Sequence, residues 1–172
     1  WALASEEQMK QVVIDRISFM WAPGPQGYIL WLKEKDGARE HAVLIDVRTV
    51  MSVVSGLQRF TTSGRGGTHR GQKPVDFVAE TIETMGGKPV RVEIRAKQYA
   101  YDTRVVVKVR GKEERIRFSI EEALAFAARH KVPLLMAESV FSAFKAIQEL
   151  FNSNYTSRIW PFADLTPPTK NI

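Results

Sequence analysis

Cysteine is absent from this chain of 172 residues, and histidine occurs only three times. No stretch approaches the run of about 18 apolar residues that crosses a bilayer as a helix. The missing cysteines exclude a disulfide scaffold, a thiol nucleophile and any cysteine-ligated zinc or iron–sulfur centre. Histidines scattered at positions 41, 69 and 130 do not build a His-rich metal cage. Several catalytic motifs are missing as well. The chain has no Gly-x-Ser-x-Gly elbow, no His-Glu-x-x-His, no paired Asp-x-Asp and no dinucleotide fingerprint. Serine hydrolase, zincin, EF-hand and dinucleotide enzyme are therefore unsupported.

What remains is an ordinary globular composition, 44% apolar and 26% charged, too apolar to be disordered throughout. One domain is the expectation at this length, with room for a sizeable core. The charge is lopsided: 25 Lys and Arg against 19 Asp and Glu give +6 and a pI near 9.7. Such a balance suits nucleic acid or an acidic protein surface as partner. It also suits a subunit of a larger assembly or a homo-oligomer. No signal or transit peptide is visible. The expected location is soluble and intracellular, a mitochondrion or plastid included where a transit peptide has been removed.

Along the chain, residues 11 to 21, 28 to 35 and 40 to 47 read as three strands, rich in β-branched and aromatic residues. Asp36-Gly37 is the strongest hairpin signal between them. Over 48 to 60 the period becomes helical, with Val50, Met51, Val54 and Leu57 on one side. A loop with four glycines follows from Thr61 to Lys73, and no acid lies between Arg59 and Asp76. Pro74 suits the first turn of a second helix, and Gly86-Gly87 stops it. Alternation then returns. Val90, Val92, Ile94 and Ala96 oppose Arg91, Glu93, Arg95 and Lys97, and Val105, Val107 and Val109 oppose Arg104, Lys108 and Arg110. A short strand over Glu114 to Phe118 completes this second meander. Ser119-Ile120-Glu121-Glu122 is a capping box ahead of an apolar run. Val132 to Met136 reads as a short buried strand that Pro133 places at an edge or a strand start. Ser139 to Phe151 reads as a last amphipathic helix. The expected fold is α+β: two antiparallel β-meanders with helices packed against them in a single compact domain. It spans residues 11–151, between an N-terminal extension (1–10) and an extended C-terminal tail (152–172) that docks on a neighbour or wraps its own domain.

The second meander carries the clearest functional signal. Arg91, Arg95, Lys97, Arg104, Lys108, Arg110, Arg115 and Arg117 cluster on adjacent strands, with Glu93 the acid among them on the first strand. Solvated strand faces usually mix signs, so such a cluster calls for a polyanion or an acidic partner to cover it. Tyr99 and Tyr101 at the turn are placed to stack on bases, or to pack the turn. Arg65 and Arg70 stand in the glycine-rich loop, which could approach phosphates through exposed amides or serve as a plain linker. His69 has no evident partner there. His130 reads as a favourable charge at a helix C-terminus, and His41 as an exposed mid-strand residue.

Three stretches together resemble the bifunctional nuclease family. The first is Ile14-Asp15-Arg16-Ile17 leading to Tyr28 to Glu34, Asp36-Gly37 and Ala42 to Ile45. The second is Lys73-Pro74-Val75-Asp76-Phe77, then Gly86-Gly87 and Val90 to Ile94, which looks like the family's helix start R-P-x-T-H-D-L and the strand after it. The third is Glu122 to Ala127 with Val132-Pro133-Leu134, similar to S-D-A-I-x-L-A and x-P-I. The resemblance covers roughly residues 11 to 145 and implies a small α+β domain acting on DNA and RNA. It points to Asp76, Glu121 and Glu122 as catalytic carboxylates, with Asp76 and Glu121 holding Mg²⁺ or Mn²⁺. The chain departs from the family pattern where Pro74-Val75 replace Thr-His and where Ser119 to Glu122 replace Arg-Pro-Ser-Asp. For Asp76 and Glu121 the competing role is a favourable charge at a helix N-terminus, and for Glu122 the capping box itself. Two functions follow: a nucleic-acid-binding domain that hydrolyses phosphodiesters with a divalent cation, or a catalytically inactive accessory subunit of an assembly.

Overall fold

The computed structural model of the protein describes residues 7–21, 27–58, 74–153 and 156–161, with residues 58, 74–77 and 153 as backbone alone. β1 (Met9–Met20), β2 (Gly27–Glu34) and β3 (Glu40–Ile45) form the first antiparallel meander. Leu30, Leu32, Val43 and Ile45 face the main core, while Ile29, Trp31 and Ala42 face a smaller cluster with Met20 and Phe151. Burial on both faces explains why β2 reads as a continuous apolar run.

α1 (Val47–Gln58) begins where Asp46 accepts the Thr49 N–H at 2.7 Å, one of the first-turn donors a helix leaves unsatisfied. α2 (Pro74–Thr84) starts on its proline, and Gly86, at φ 71°, turns the chain left-handed into β4 (Gly87–Lys97). β4, β5 (Ala100–Val109) and β6 (Lys112–Phe118) make the second meander. α3 (Ile120–His130) opens on the full capping box between Ser119 and Glu122. Its residues Ala123–Ala128 are all buried, so α3 is wrapped on every side. The alanines leave room for α1: a Cβ on Gly56 would stand 2.8 Å from the Arg129 backbone nitrogen.

β7 (Leu134–Ala137) joins the two meanders. It pairs antiparallel with β1 and parallel with β4, giving the order β3-β2-β1-β7-β4-β5-β6 in one mixed sheet. Pro133 therefore precedes a central strand, and the edge alternative of the sequence reading falls away. The proline has no N–H to donate, and its carbonyl accepts from Val92. β1 starts at Met9, two residues ahead of expectation, because Met9 and Lys10 pair with Ala137 and Met136. The expected single last helix is two, α4 (Glu138–Ala143) and α5 (Lys145–Ser153), broken at Phe144, whose ring is buried in the main core. α5 then crosses to the other face of the sheet, and Phe151 fills the second cluster. The Gln148 side chain meets the N–H and C=O of Ala42 at 2.7 and 3.0 Å, blunting the free edge of β3. Within the expected tail, β8 (Thr156–Trp160) pairs with β1 over Ile17–Met20, so that part wraps its own domain.

The sheet is not flat. Four strands separate β3 from β5, which places them about 24 Å apart on a flat sheet at about 4.8 Å per strand. Yet His41 on β3 and Tyr101 on β5 share a 2.8 Å hydrogen bond. The sheet must curl enough to bring these two side chains together over the core. His41 is consequently buried, not exposed as its mid-strand position suggested. The architecture is α+β and forms one domain. No helix among the described residues is long and apolar enough to cross a membrane.

Candidate nucleic-acid interface

The outer face of β4–β5–β6 brings the expected cations together and supplies a mechanism for holding them there. Cross-strand register sets Glu93 opposite Arg104, Arg95 opposite Asp102, and Arg104 opposite Arg117. Glu93 is only 4% exposed and stands among three guanidinium groups: Arg91 at 2.9 Å, Arg115 at 3.5 Å and Arg95 at 3.6 Å. Asp102 serves two more, Arg104 at 2.9 Å and Arg117 at 3.6 Å. Its hydrogen bond with Arg104 holds the carboxyl below the usual aspartate range, against the opposing pull of burial. Glu113 takes Arg91 through two 2.9 Å bonds, which raise the Arg91 pKa and lower that of Glu113. Glu7 reaches Arg95 at 3.5 Å from the start of the chain's described part.

This corrects the expectation that a polyanion or an acidic partner is needed to relieve the repulsion of the cationic cluster. Much of the repulsion is relieved from within, because the antiparallel register interleaves Glu93, Asp102 and Glu113 with the arginines. The face still keeps an excess: five arginines share four carboxylates, and Lys97 and Lys108 add to the positive charge. Lys97, Lys108 and Arg110 are exposed, and the Arg117 side chain is 72% exposed. Val106 lies on this face between Arg91 and Arg115 in the register, yet is fully buried. The aliphatic stems of long neighbours cover such a residue while their heads stay in water. Arg65 and Arg70, together with His69, lie outside the described residues.

The two tyrosines separate. Tyr101 is withdrawn from any contact with bases: its hydroxyl bonds His41, its ring stacks on Phe144 at 4.5 Å, and burial pushes its pKa up. Tyr99, at the β4–β5 turn, is 92% exposed. Gln98 beside it takes a left-handed φ of 58°, where glycine or asparagine is usual.

The expected catalytic carboxylates are differently placed. Asp76 lies in the first turn of α2, and its side chain is outside the described residues. The Glu122 carboxylate accepts the Ser119 N–H at 3.0 Å, so it acts as the capping partner. Glu121, one residue earlier, lines a surface groove of about 570 Å³ with Asp46, Phe19, Tyr28, Leu44 and Val47. Asp46 escaped the sequence reading. Its signal was an Asp three residues ahead of Thr49, just before the helical period begins. Glu121 and Asp46 are two carboxylates, the second already capping α1. Alone they fall short of the ligand set that Mg²⁺ or Mn²⁺ requires. Among the described residues, no three acidic or histidine side chains gather as a metal-holding group.

No protein-family model matches the chain, and no curated protein matches it.

Proposed function

We propose that this is a nucleic-acid-binding domain of bifunctional-nuclease type that acts as an accessory module, with the outer face of β4–β5–β6 as its contact surface. The observation that carries the reading is the arginine array on Glu93 and Asp102. Guanidinium groups fixed by a buried carboxylate lose little freedom when a phosphate arrives, and their remaining N–H donors form the fork that phosphate oxygens accept. The surplus of positive charge supplies the long-range attraction. The accessory role, as against hydrolysis, is favoured by Glu122, whose carboxylate is engaged in its capping box.

The test is retention of labelled DNA and RNA oligonucleotides over a salt series, with supercoiled plasmid and RNA incubated in Mg²⁺, in Mn²⁺ and in EDTA. Binding that weakens steeply with salt, without divalent-dependent cleavage, is expected. Arg104→Glu combined with Arg117→Glu is expected to weaken binding by about a hundredfold and to flatten the salt slope by about two phosphate contacts. Unchanged affinity in that variant would remove this face as the interface. Cleavage abolished by Asp76→Asn would restore the hydrolytic reading and place its carboxylate in α2.

A further inference from the structure

The end of this face near the β4–β5 turn differs from the rest of it. Elsewhere the surface is dominated by Arg and Lys side chains and their paired carboxylates. At the turn, Tyr99 presents a 92% exposed aromatic ring next to the exposed Lys97. An exposed tyrosine costs solubility and contributes nothing to the core, while a two-residue hairpin turn normally takes small residues. Two residues beyond Ala100, Asp102 holds Arg104 and Arg117 side by side on adjacent strands. Tyr99, in the turn just ahead of β5, precedes Arg104 by five residues, about 17 Å of extended chain at most.

We infer that this end of the face takes single-stranded nucleic acid, with a base stacked on Tyr99 and the backbone phosphates on the Arg104–Arg117 pair. The inference rests on the interface proposed above and goes further by naming the form of nucleic acid. In a duplex each base already stacks on its neighbours, so an exposed ring gains nothing except at the ends. An unpaired base offers a free π-face, and stacking on an aromatic side chain contributes about 1–3 kcal/mol per base. Cations alone would take duplex and single strand alike, so the aromatic group is what discriminates between them.

Fluorescence polarisation decides it, using a labelled DNA strand of about 12 nucleotides, alone and annealed to its complement, in the same buffer. The wild-type protein is expected to hold the single strand about tenfold more tightly than the duplex. Tyr99→Ala should erase that preference while duplex binding stays as it was, and Tyr99→Trp should keep it. The ring is almost wholly in solvent, so circular dichroism should show each variant folded. Equal affinity for both forms in the wild type, or a preference that survives Tyr99→Ala, overturns the inference and leaves the interface standing. No binding of either form overturns the interface itself, and the inference with it.

Discussion

Glu93 shows how a single side chain can define a surface. It sits on the face that alternation assigns to solvent, yet three arginines close over it and bury it. Removing one partner of a buried ionic cluster costs more than the pair contributes, because the other charges stay desolvated. The arginine heads are 22–43% exposed, so water recovers part of that loss. Glu93→Gln keeps the shape and removes the charge. A urea titration should show a loss of about 2–4 kcal/mol. The same variant gains one positive charge but loses the anchor of the array. If the proposed interface is correct, its affinity for nucleic acid falls. A rise would mean that charge alone binds the polyanion.

Among the elements, the α1–α3 contact depends most on a small residue. A Cβ on Gly56 would meet the Arg129 backbone nitrogen at 2.8 Å and the Ala128 carbonyl carbon at 2.9 Å. Both are backbone atoms of α3, so neither can swing aside. Gly56→Ala gains about 1 kcal/mol of helix propensity, but overpacking outweighs it. The expected net result is a destabilisation of about 1–3 kcal/mol, read from the thermal midpoint, with helical circular dichroism retained below the transition. Taken locally, a glycine at position 56 only lowers helix propensity. The backbone it touches, at Ala128 and Arg129 of α3, lies more than seventy residues away in the chain.

For the molecule as a whole, the bond from His41 to Tyr101 links strands near opposite ends of the sheet order. His41 is fully buried, with no hydrogen-bond partner for Nδ1 among the described residues, and burial pushes its pKa down to about 4 from 6.5. The unfolded chain therefore takes up this proton first as pH falls. The contribution of His41 is intact above about pH 6.5 and is lost progressively toward pH 4, by up to about 3 kcal/mol. The carboxyls of Glu34, Asp46, Asp102, Glu113 and Glu138 are all held below their ordinary values. Their loss begins near about pH 5, in the lower part of that window, and is common to wild type and any His41 variant. Denaturation midpoints of wild type and His41→Gln between pH 4 and 6.5 should therefore differ in slope, with the wild type the steeper and the difference growing as pH falls from 6.5. Parallel curves would show that His41 is not what titrates there.

Much of this fold was legible in the chain, because local physics writes it there. Period-two alternation, the Asp36-Gly37 turn, Pro74, Gly86 and the Ser119–Glu122 capping box each act over a few residues and marked their elements within about three residues. The α+β class and both meanders followed from them. The cationic residues of the second meander were legible for the same reason. Nothing local distinguishes a half-buried strand face from one buried by curling. His41 and Tyr101 were therefore misplaced, and Glu93 looked like a lone acid among cations. That β7 joins the meanders, that Asp102 and Glu113 fall among the arginines, and that Tyr101 turns inward while Tyr99 stays in solvent were all decided by strand order and register. These depend on which distant segments pair, and pairing is settled by burying the whole core at once.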